Sequence, residues 1–265
     1  MNNRSPIGIF DSGLGGLTVL KKIQELLPNE NYIYFGDTAH LPYGSKSNNC
    51  IIEYSENITN FLLSKNVKAI IIACNSASSV ANEQIQHQCK IPVFEVITPA
   101  VESAVQITSN NRIGVIGTET TINSKIYSKN ISNMNKDIYI KEIACPLFVP
   151  IIEEGLENSR IAEEIFRLYL QPIINANIDT LILGCTHYPI IKKQLSNILP
   201  DKIKYITSGQ PVGESLKKYL LKNAQLNDDT LSKVDFYVSD SPEKFQKLGS
   251  KFLTREIADI QLVQI

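Results

Sequence analysis

The length and charge of the chain exclude several classes of protein. Its 265 residues, 43% of them hydrophobic, exceed the usual single domain of ~100 to 200 residues, so we expect two compact lobes or one large α/β domain. The 26 Lys and Arg residues are balanced by 27 Asp and Glu residues, which argues against the basic surface that binding a nucleic acid requires.

Short apolar runs alternate with longer amphipathic segments through the first part of the chain. We predict, in order, strand 7–10, helix 17–27, strand 31–37, helix 53–65, strand 69–74, helix 78–89 and strand 92–97. Strands that are apolar on both faces and alternate with helices are typical of a parallel sheet covered by helices. The predicted fold class is therefore α/β.

The same order of elements recurs in the second half of the chain. The run IGVIGTE at 113–119 resembles IGIFDSG at 7–13, and TLILGCTH at 180–187 resembles AIIIACNS at 69–76. A duplicated unit explains this pattern, although generic alternation of strands and helices could produce so weak a similarity.

The repeat predicts two similar lobes, each a mainly parallel sheet flanked by helices. The second unit is complete by Ile206, and a helix and a late strand follow after about residue 208. We therefore assign residues 1–97 and 208–265 to the first lobe and residues 98–207 to the second. Ligands of open parallel sheets lie beyond the carboxyl ends of the strands, so we expect one site in the cleft between the lobes.

The N-terminus and the cysteines are typical of an intracellular protein. Asp11 interrupts the first apolar stretch too early for a signal peptide, and no run approaches the ~20 apolar residues of a membrane span. The five cysteines are odd in number and include no C-x-x-C pair, which disfavours a disulfide scaffold and a structural zinc site. We therefore predict free thiols in a cytoplasmic protein that contacts no membrane.

Two of the cysteines follow predicted strands at equivalent positions of the repeat. Cys74 and Cys185 each end an apolar run and precede small polar residues. A single cysteine in such a place is more often a buried small hydrophobe, but the pairing favours catalysis. Two thiols on opposite walls of a pocket suit removal of a proton from a carbon on one side and its return from the other, which inverts a stereocentre. Cys50, Cys89 and Cys145 lack this context and are predicted to be structural.

Each of the paired thiols has a candidate partner for its proton. A thiolate is the reactive form, and an ordinary thiol has a pKa of ~8.5. His187 lies two residues after Cys185, so alternation at a strand end would direct both side chains into the cleft. Asp11 ends the first strand, which we expect beside the strand that carries Cys74. Cys185 and His187 could instead ligate a metal, but no further Cys/His cluster completes a site, and none is predicted.

Glycines and short polar residues at the same sheet edge indicate a site for a small charged ligand. The loop DSGLGG at 11–16 opens a helix, where backbone amides can approach an anion. It lacks the spacing of a dinucleotide or P-loop motif, so no nucleotide cofactor is predicted, and alone it could be only a tight turn. Residues that could hold carboxylates and an ammonium group are Asn75, Ser76, Thr118, Thr121 and Thr186.

An ordered set of motifs favours a functional role for these residues over the ordinary structural one. GIFDSGLGGLTVL, YFGDTAHLPYG, ACNSAS, GVIGTETT and LGCTHYP resemble the motifs of the bacterial glutamate racemases, within the aspartate/glutamate racemase superfamily, from about Ile7 to Pro189. The resemblance implies two α/β lobes with the active site between them and a C-terminal tail that returns to the first lobe. It also implies cofactor-independent racemisation of glutamate, which supplies D-glutamate for peptidoglycan, by a protein that is commonly a homodimer.

The resemblance also implies a role for individual residues. Cys74 and Cys185 look like the catalytic acid/bases that deprotonate D-glutamate and L-glutamate, respectively. Asp11 and His187 resemble the residues that assist those thiols. Glu153, which with Glu154 would ordinarily be a solvated helix start, resembles an auxiliary carboxylate. The substrate-holding positions are matched by Asp11, Ser12, Pro42, Tyr43, Gly44, Asn75, Ser76, Thr118, Thr121, Thr186 and His187.

Two departures and three alternatives qualify this interpretation. His40 stands where the family commonly has Arg and lacks its fixed positive charge, and Ser76 stands where it commonly has Thr and keeps the hydroxyl; neither change touches a thiol. An aspartate racemase would use the same paired thiols. A non-catalytic binding protein for small acids would have no need of symmetric cysteines. A thiol redox protein would usually keep a second thiol within disulfide reach.

Overall fold

Two parallel sheets covered by helices form the fold. The computed structural model describes residues 3–229 and 232–265. The first sheet contains β1 (Ile7–Asp11), β2 (Tyr32–Gly36), β3 (Ala69–Ile72), β4 (Val93–Glu95), β9 (Val234–Val238) and β10 (Ile260–Leu262), in the order β10-β9-β2-β1-β3-β4. The second contains β5 (Arg112–Gly117), β6 (Tyr139–Ala144), β7 (Thr180–Gly184) and β8 (Lys204–Ile206), in the order β6-β5-β7-β8.

Helices cover the sheets and account for the apolar strands. The first part of the chain contains α1 (Leu17–Leu26), α2 (Asn48–Ser64), α3 (Asn75–Gln88) and α4 (Ile97–Ile107). The middle part contains α5 (Glu119–Asn123), α6 (Ile126–Met134), α7 (Phe148–Glu153), α8 (Arg160–Asn175) and α9 (Lys192–Ile198), and the last part α10 (Gly209–Lys222) and α11 (Pro242–Leu253). Every residue of β1, β2, β3 and β7 is buried, as expected for strands covered on both faces.

The two sheets repeat the same arrangement of strands. In the first sheet β1 pairs with β2 and β3, and β3 pairs with β4. In the second sheet β5 pairs with β6 and β7, and β7 pairs with β8. The predicted α/β class with two similar parallel sheets is therefore confirmed, including the adjacency of the strands that lead to Asp11 and Cys74. The lobe boundaries at residues 97 and 207 stay a prediction.

Several element boundaries differ from the predicted ones, and local capping explains one of them. Helix α3 begins at Asn75, directly after Cys74, and not near residue 78. Strand β4 ends at Glu95, and α4 begins at Ile97, because the Glu95 carboxylate accepts hydrogen bonds from the amides of Ile97 (2.5 Å) and Thr98 (2.8 Å). The predicted strand over 92–97 was therefore too long.

The C-terminal part of the chain extends the first sheet. The predicted late strand forms β9, which pairs with β2 from Tyr32↔Val234 to Gly36↔Val238. β10 is only three residues long, pairs with β9 and had not been predicted. In the described part of the chain, we find no helix that combines the length and the apolar character needed to cross a bilayer.

Candidate active site

The carboxyl ends of β1 and β3 face those of β5 and β7 across a small cavity. Its volume is about 20 Å³, enough for about one water molecule. Asp11 and Thr121 lie outside its lining and are fully buried. The other predicted site residues line it: Ser12, Pro42, Tyr43, Gly44, Cys74, Asn75, Ser76, Thr118, Glu153, Cys185, Thr186 and His187.

Cys74 lies at the junction of β3 and α3, where the helix begins. Its thiol donates to the hydroxyl oxygen of Ser12, with Sγ and Oγ 3.7 Å apart. Burial raises the pKa of Cys74 to about 12, and the nearby Asp11 carboxyl acts in the same direction, while hydrogen bonds from the amide of Ala77 and from Ser12 oppose the shift. Cys74 is therefore a thiol at neutral pH in the ligand-free protein.

Cys185 follows β7 and belongs to a chain of three polar groups. Its Sγ lies 3.8 Å from Nδ1 of His187, and Nε2 of His187 lies 3.1 Å from Oε1 of Glu153. Burial lowers the pKa of His187, but the hydrogen bonds with Cys185 and Glu153 outweigh it and raise the pKa to about 10. Burial raises the pKa of Glu153, but the hydrogen bond with His187 and the charge of His187 outweigh it, so the pKa of this carboxyl is lowered. At neutral pH an imidazolium therefore faces the sulfur of Cys185.

The two thiols thus have opposite electrostatic surroundings. A cation beside a cysteine stabilises the thiolate, and His187 supplies one to Cys185. Cys74 lies near the Asp11 carboxyl, which favours the neutral thiol. Proton transfer across a pocket requires one unprotonated and one protonated group at the start. The two thiols therefore differ in the group beside them, an imidazole ring for Cys185 and a carboxyl group for Cys74.

Asp11 is held by the far lobe as well as by its own loop. Its Oδ2 accepts from the amide of Gly13 at 2.9 Å, and its Oδ1 accepts from the hydroxyl of Thr186 at 3.3 Å. Burial raises the pKa of Asp11, against the opposing effects of the His187 charge and of hydrogen bonds from Gly16, Gly13 and Thr186. The glycine-loop amides predicted to face an anion are therefore directed at Asp11 itself.

Three hydroxyls from the two lobes form a cluster at the cavity. The Ser76 and Thr118 oxygens are 2.9 Å apart, those of Thr118 and Thr121 are 3.0 Å apart, and those of Ser76 and Thr121 are 3.4 Å apart. Thr118 also caps α5 by accepting from the amide of Thr121. Hydroxyls rotate to donate or accept, so this cluster suits a carboxylate ligand.

A buried aspartate anchors the loop that carries Tyr43. Asp37 follows β2 and accepts hydrogen bonds from the hydroxyls of Tyr43 (2.5 Å) and Ser239 (2.7 Å). Nδ1 of His40 lies 2.8 Å from Oδ1 of Asp37, and the imidazole stacks on Tyr54 with ring centroids 4.1 Å apart. His40 is thus engaged with its own lobe and does not line the cavity. Asp37 had not been predicted, although an aspartate directly after a strand beside β1 was a signal for it.

One predicted local geometry was wrong, and the ordinary interpretation of Glu153 does not apply. β7 ends at Gly184, and His187 lies at the start of a short 3-10 helix, Tyr188–Ile191, so strand alternation does not bring it to Cys185. Glu153 is the last residue of α7 and not the start of a solvated helix, and its side chain is only 11% exposed. Leu41, within the motif YFGDTAHLPYG, and Val149, outside every motif, also line the cavity and had not been predicted as site residues.

Replacing Glu153 by glutamine is expected to lower the pKa of His187, because a neutral amide stabilises the imidazolium less than a carboxylate does. Because folding raises the pKa of His187, the contribution of this residue to the stability of the folded protein is complete below pH 6.5 and is lost as the pH rises toward about 10. Because folding lowers the pKa of Glu153, the contribution of this residue to the stability of the folded protein is complete above pH 4.5 and is lost on acidification. The variant should therefore be less stable by about 2 kcal/mol at most, between about pH 4.5 and 6.5, with a smaller deficit toward pH 10.

Thermal melts across this pH range measure that difference. Glu154→Gln is the matched control, because Glu154 is exposed and adjacent in sequence, and its melting profile should follow that of the parent. A deficit of Glu153→Gln that does not change with pH would contradict the ion pair with His187.

Comparison with known proteins identifies the family. The family model described as Asp/Glu/Hydantoin racemase matches residues 7–211. The curated glutamate racemase of Geobacter metallireducens is 41% identical over 98% of this chain and 96% of its own length. The crystal structure of a glutamate racemase isoform from Bacillus anthracis is 32% identical with a TM-score of 0.96, covering 100% of this chain and 99% of that one. The glutamate racemase of Francisella tularensis in complex with D-glutamate is 42% identical with a TM-score of 0.94, covering 99% and 98%. This chain, with its paired cysteines in one cleft, belongs to the Asp/Glu/hydantoin racemase family.

Proposed function

We propose that the chain is a glutamate racemase, which interconverts L- and D-glutamate by two-base proton transfer at the α-carbon without a cofactor. One observation carries the proposal: Cys74 and Cys185, from two facing sheets, line the same small cavity. The relatives named above are glutamate racemases, and one of them was crystallised with D-glutamate. Production of D-glutamate for peptidoglycan is the use that this activity would have in a bacterium.

The proposed reaction starts with Cys185 as thiolate and Cys74 as thiol. The Cys185 sulfur takes the α-proton of L-glutamate, and the electron pair of the broken C–H bond stays on the α-carbon. Cys74 then gives its proton to the opposite face, which yields D-glutamate, a Cys74 thiolate and a Cys185 thiol. Racemisation of D-glutamate runs through the same steps in reverse order.

Neighbouring groups stabilise each form of the two thiols. The His187 imidazolium, held by Glu153, stabilises the Cys185 thiolate. The amide of Ala77 in the first turn of α3 and the hydroxyl of Ser12 lower the pKa of Cys74, so they stabilise its thiolate after turnover. We assign Asp11 a supporting role, because its carboxyl group lies near Cys74 and accepts a hydrogen bond from Thr186.

The cavity provides the groups that a dicarboxylic amino acid needs. The hydroxyls of Ser76 and Thr118 would hold one carboxylate, and Asn75 also lines the cavity. Exclusion of water strengthens such hydrogen bonds and favours formation of the carbanion. Because the cavity has room for about one water molecule, glutamate would enter only when the two lobes move apart.

We also propose that the protein works in the cytoplasm and as a homodimer, as its family resemblance implies. Sedimentation of the purified chain over a range of concentrations tests the second statement. A monomer at every concentration would contradict it.

Proton NMR of L-glutamate in deuterated water, with the purified protein, a reducing agent and no added cofactor, tests the function. We expect the α-proton signal to disappear while the optical rotation decays to zero. If both stay unchanged, the same experiment with aspartate decides whether the substrate is the shorter acid. Failure with aspartate too would favour a binding protein, and a disulfide between Cys74 and Cys185 under mild oxidant would favour a redox role.

A further inference from the structure

Tyr127 joins groups next to both cysteines without reaching the cavity. It lies in α6 of the second sheet's lobe and is fully buried. Its hydroxyl donates to Oδ1 of Asn75 at 2.7 Å, and Asn75 is the residue directly after Cys74. Its ring packs on Gly184, where an added Cβ would lie 3.1 Å from the ring, and Gly184 directly precedes Cys185. One side chain therefore contacts both the residue that follows Cys74 and the residue that precedes Cys185.

The hydrogen bond from Tyr127 also fixes which way the Asn75 amide points. Because a tyrosine hydroxyl is the donor to Oδ1, the Nδ2 group faces the other side and donates to Oγ of Ser208 at 3.2 Å. Ser208 lies between β8 and α10, where the chain leaves the second sheet. The three residues thus connect α3 of the first lobe, α6 of the second, and the segment that links them.

We propose that Tyr127 is a positioning residue, which locks the two lobes in the arrangement that sets Cys74 against Cys185 and orients the Asn75 amide at the cavity. The proposal deepens the proposed function and rests on it for its kinetic consequences. All three hydrogen-bonding groups are at most 2% exposed, so loss of one partner leaves a buried polar group unsatisfied. The closed arrangement of the lobes would be weakened by that cost.

Tyr127→Phe removes only the hydroxyl and keeps the ring against Gly184. Labelling of each cysteine with iodoacetamide, followed by mass spectrometry, reports lobe opening without any substrate. We expect Cys74 and Cys185, which are 4% and 5% exposed, to react about tenfold faster than in the parent, as loss of one buried hydrogen bond implies. Cys145 is fully buried within one lobe and should react at the parent rate.

Tyr32→Phe is the matched control. Tyr32 is 1% exposed, and its hydroxyl donates to the carbonyl of Leu27 at 2.6 Å within the first lobe. Both variants lose one buried hydrogen bond, but only Tyr127→Phe should accelerate the labelling of Cys74 and Cys185. If Cys145 is labelled faster by the same factor, or if no cysteine is labelled faster, the proposal that Tyr127 holds the two lobes together is wrong.

Kinetics test the second half of the proposal. In Tyr127→Phe the KM for both enantiomers of glutamate should rise about tenfold while kcat changes less than about threefold, since the lost bond orients a group that holds substrate. Combined with Asn75→Ala, the Tyr127 substitution should raise KM no further. An unchanged KM, or additive effects in the double variant, would contradict the proposal that Tyr127 orients the Asn75 amide. A parent protein inactive on glutamate would contradict the proposed function instead, and the labelling result would still decide the lock.

Discussion

Replacement of Cys74 or Cys185 by alanine should reduce the racemisation of glutamate by about 10³-fold or more, because each variant lacks one of the two groups that exchange a proton with the α-carbon. The remaining thiol should still work on its own face of the substrate. Cys74→Ala keeps Cys185 and His187, so it should exchange the α-proton of L-glutamate with deuterated water without inversion. Cys185→Ala should do the same with D-glutamate only.

Chiral chromatography and proton NMR on each pure enantiomer separate inversion from exchange. Cys89→Ala is the control, since Cys89 is half-buried at the end of α3 and lies outside the cavity. It should racemise at the parent rate. A two-base mechanism would be excluded if either single variant racemised near that rate, or if one variant exchanged both enantiomers equally.

Replacement of Gly15 by alanine should abolish most activity through a steric effect between the lobes. A Cβ at Gly15 would lie 2.2 Å from Oγ1 of Thr186 and 2.4 Å from Nδ1 of His187, both on the opposite lobe. Neither contact can be relieved without moving the site apart. Since misplacement of reacting groups by about 1 Å can cost about 10²-fold, we expect a loss of that size in kcat/KM.

Gly249→Ala provides the comparison for this steric effect. Its Cβ would lie 2.8 Å from Ile257 and 2.9 Å from Leu17, within the core of the first lobe and away from the cleft. It should lower the melting temperature, as overpacking by about 1 to 3 kcal/mol does, yet keep kcat/KM near the parent value. Loss of activity in Gly15→Ala only in proportion to its loss of stability would contradict the steric account.

The sequence was most informative where local pattern and position in the sheet coincide. Apolar runs followed by Cys74 and Cys185 marked strands and their carboxyl ends, because a residue buried between helices must be apolar until the strand leaves the sheet. Asp11 could be placed beside the strand of Cys74 for the same reason. The start of α3 was missed because Asn75 and Ser76 suggest a loop, although small polar residues are also well suited to the first turn of a helix.

Contacts between distant segments left no comparable trace. Tyr127 lies 52 positions from Asn75, and nothing around it distinguishes it from any other core tyrosine. Gly15 was predicted to serve an anion, whereas its place in the structure is set by side chains of the other lobe. The cap at Glu95 likewise ends β4 earlier than predicted. The sequence alone does not distinguish an acidic residue that caps the following helix from one that lies within a strand.

The unequal surroundings of Cys74 and Cys185 constrain the rates in the two directions. L- and D-glutamate are mirror images of equal free energy, so the equilibrium constant of the proposed reaction is unity and kcat/KM must be the same for both enantiomers. The imidazolium beside Cys185 and its absence beside Cys74 cannot favour one product at equilibrium. They can only change KM and kcat together. Whichever enantiomer saturates the protein at the lower concentration must therefore also turn over more slowly, in the same proportion.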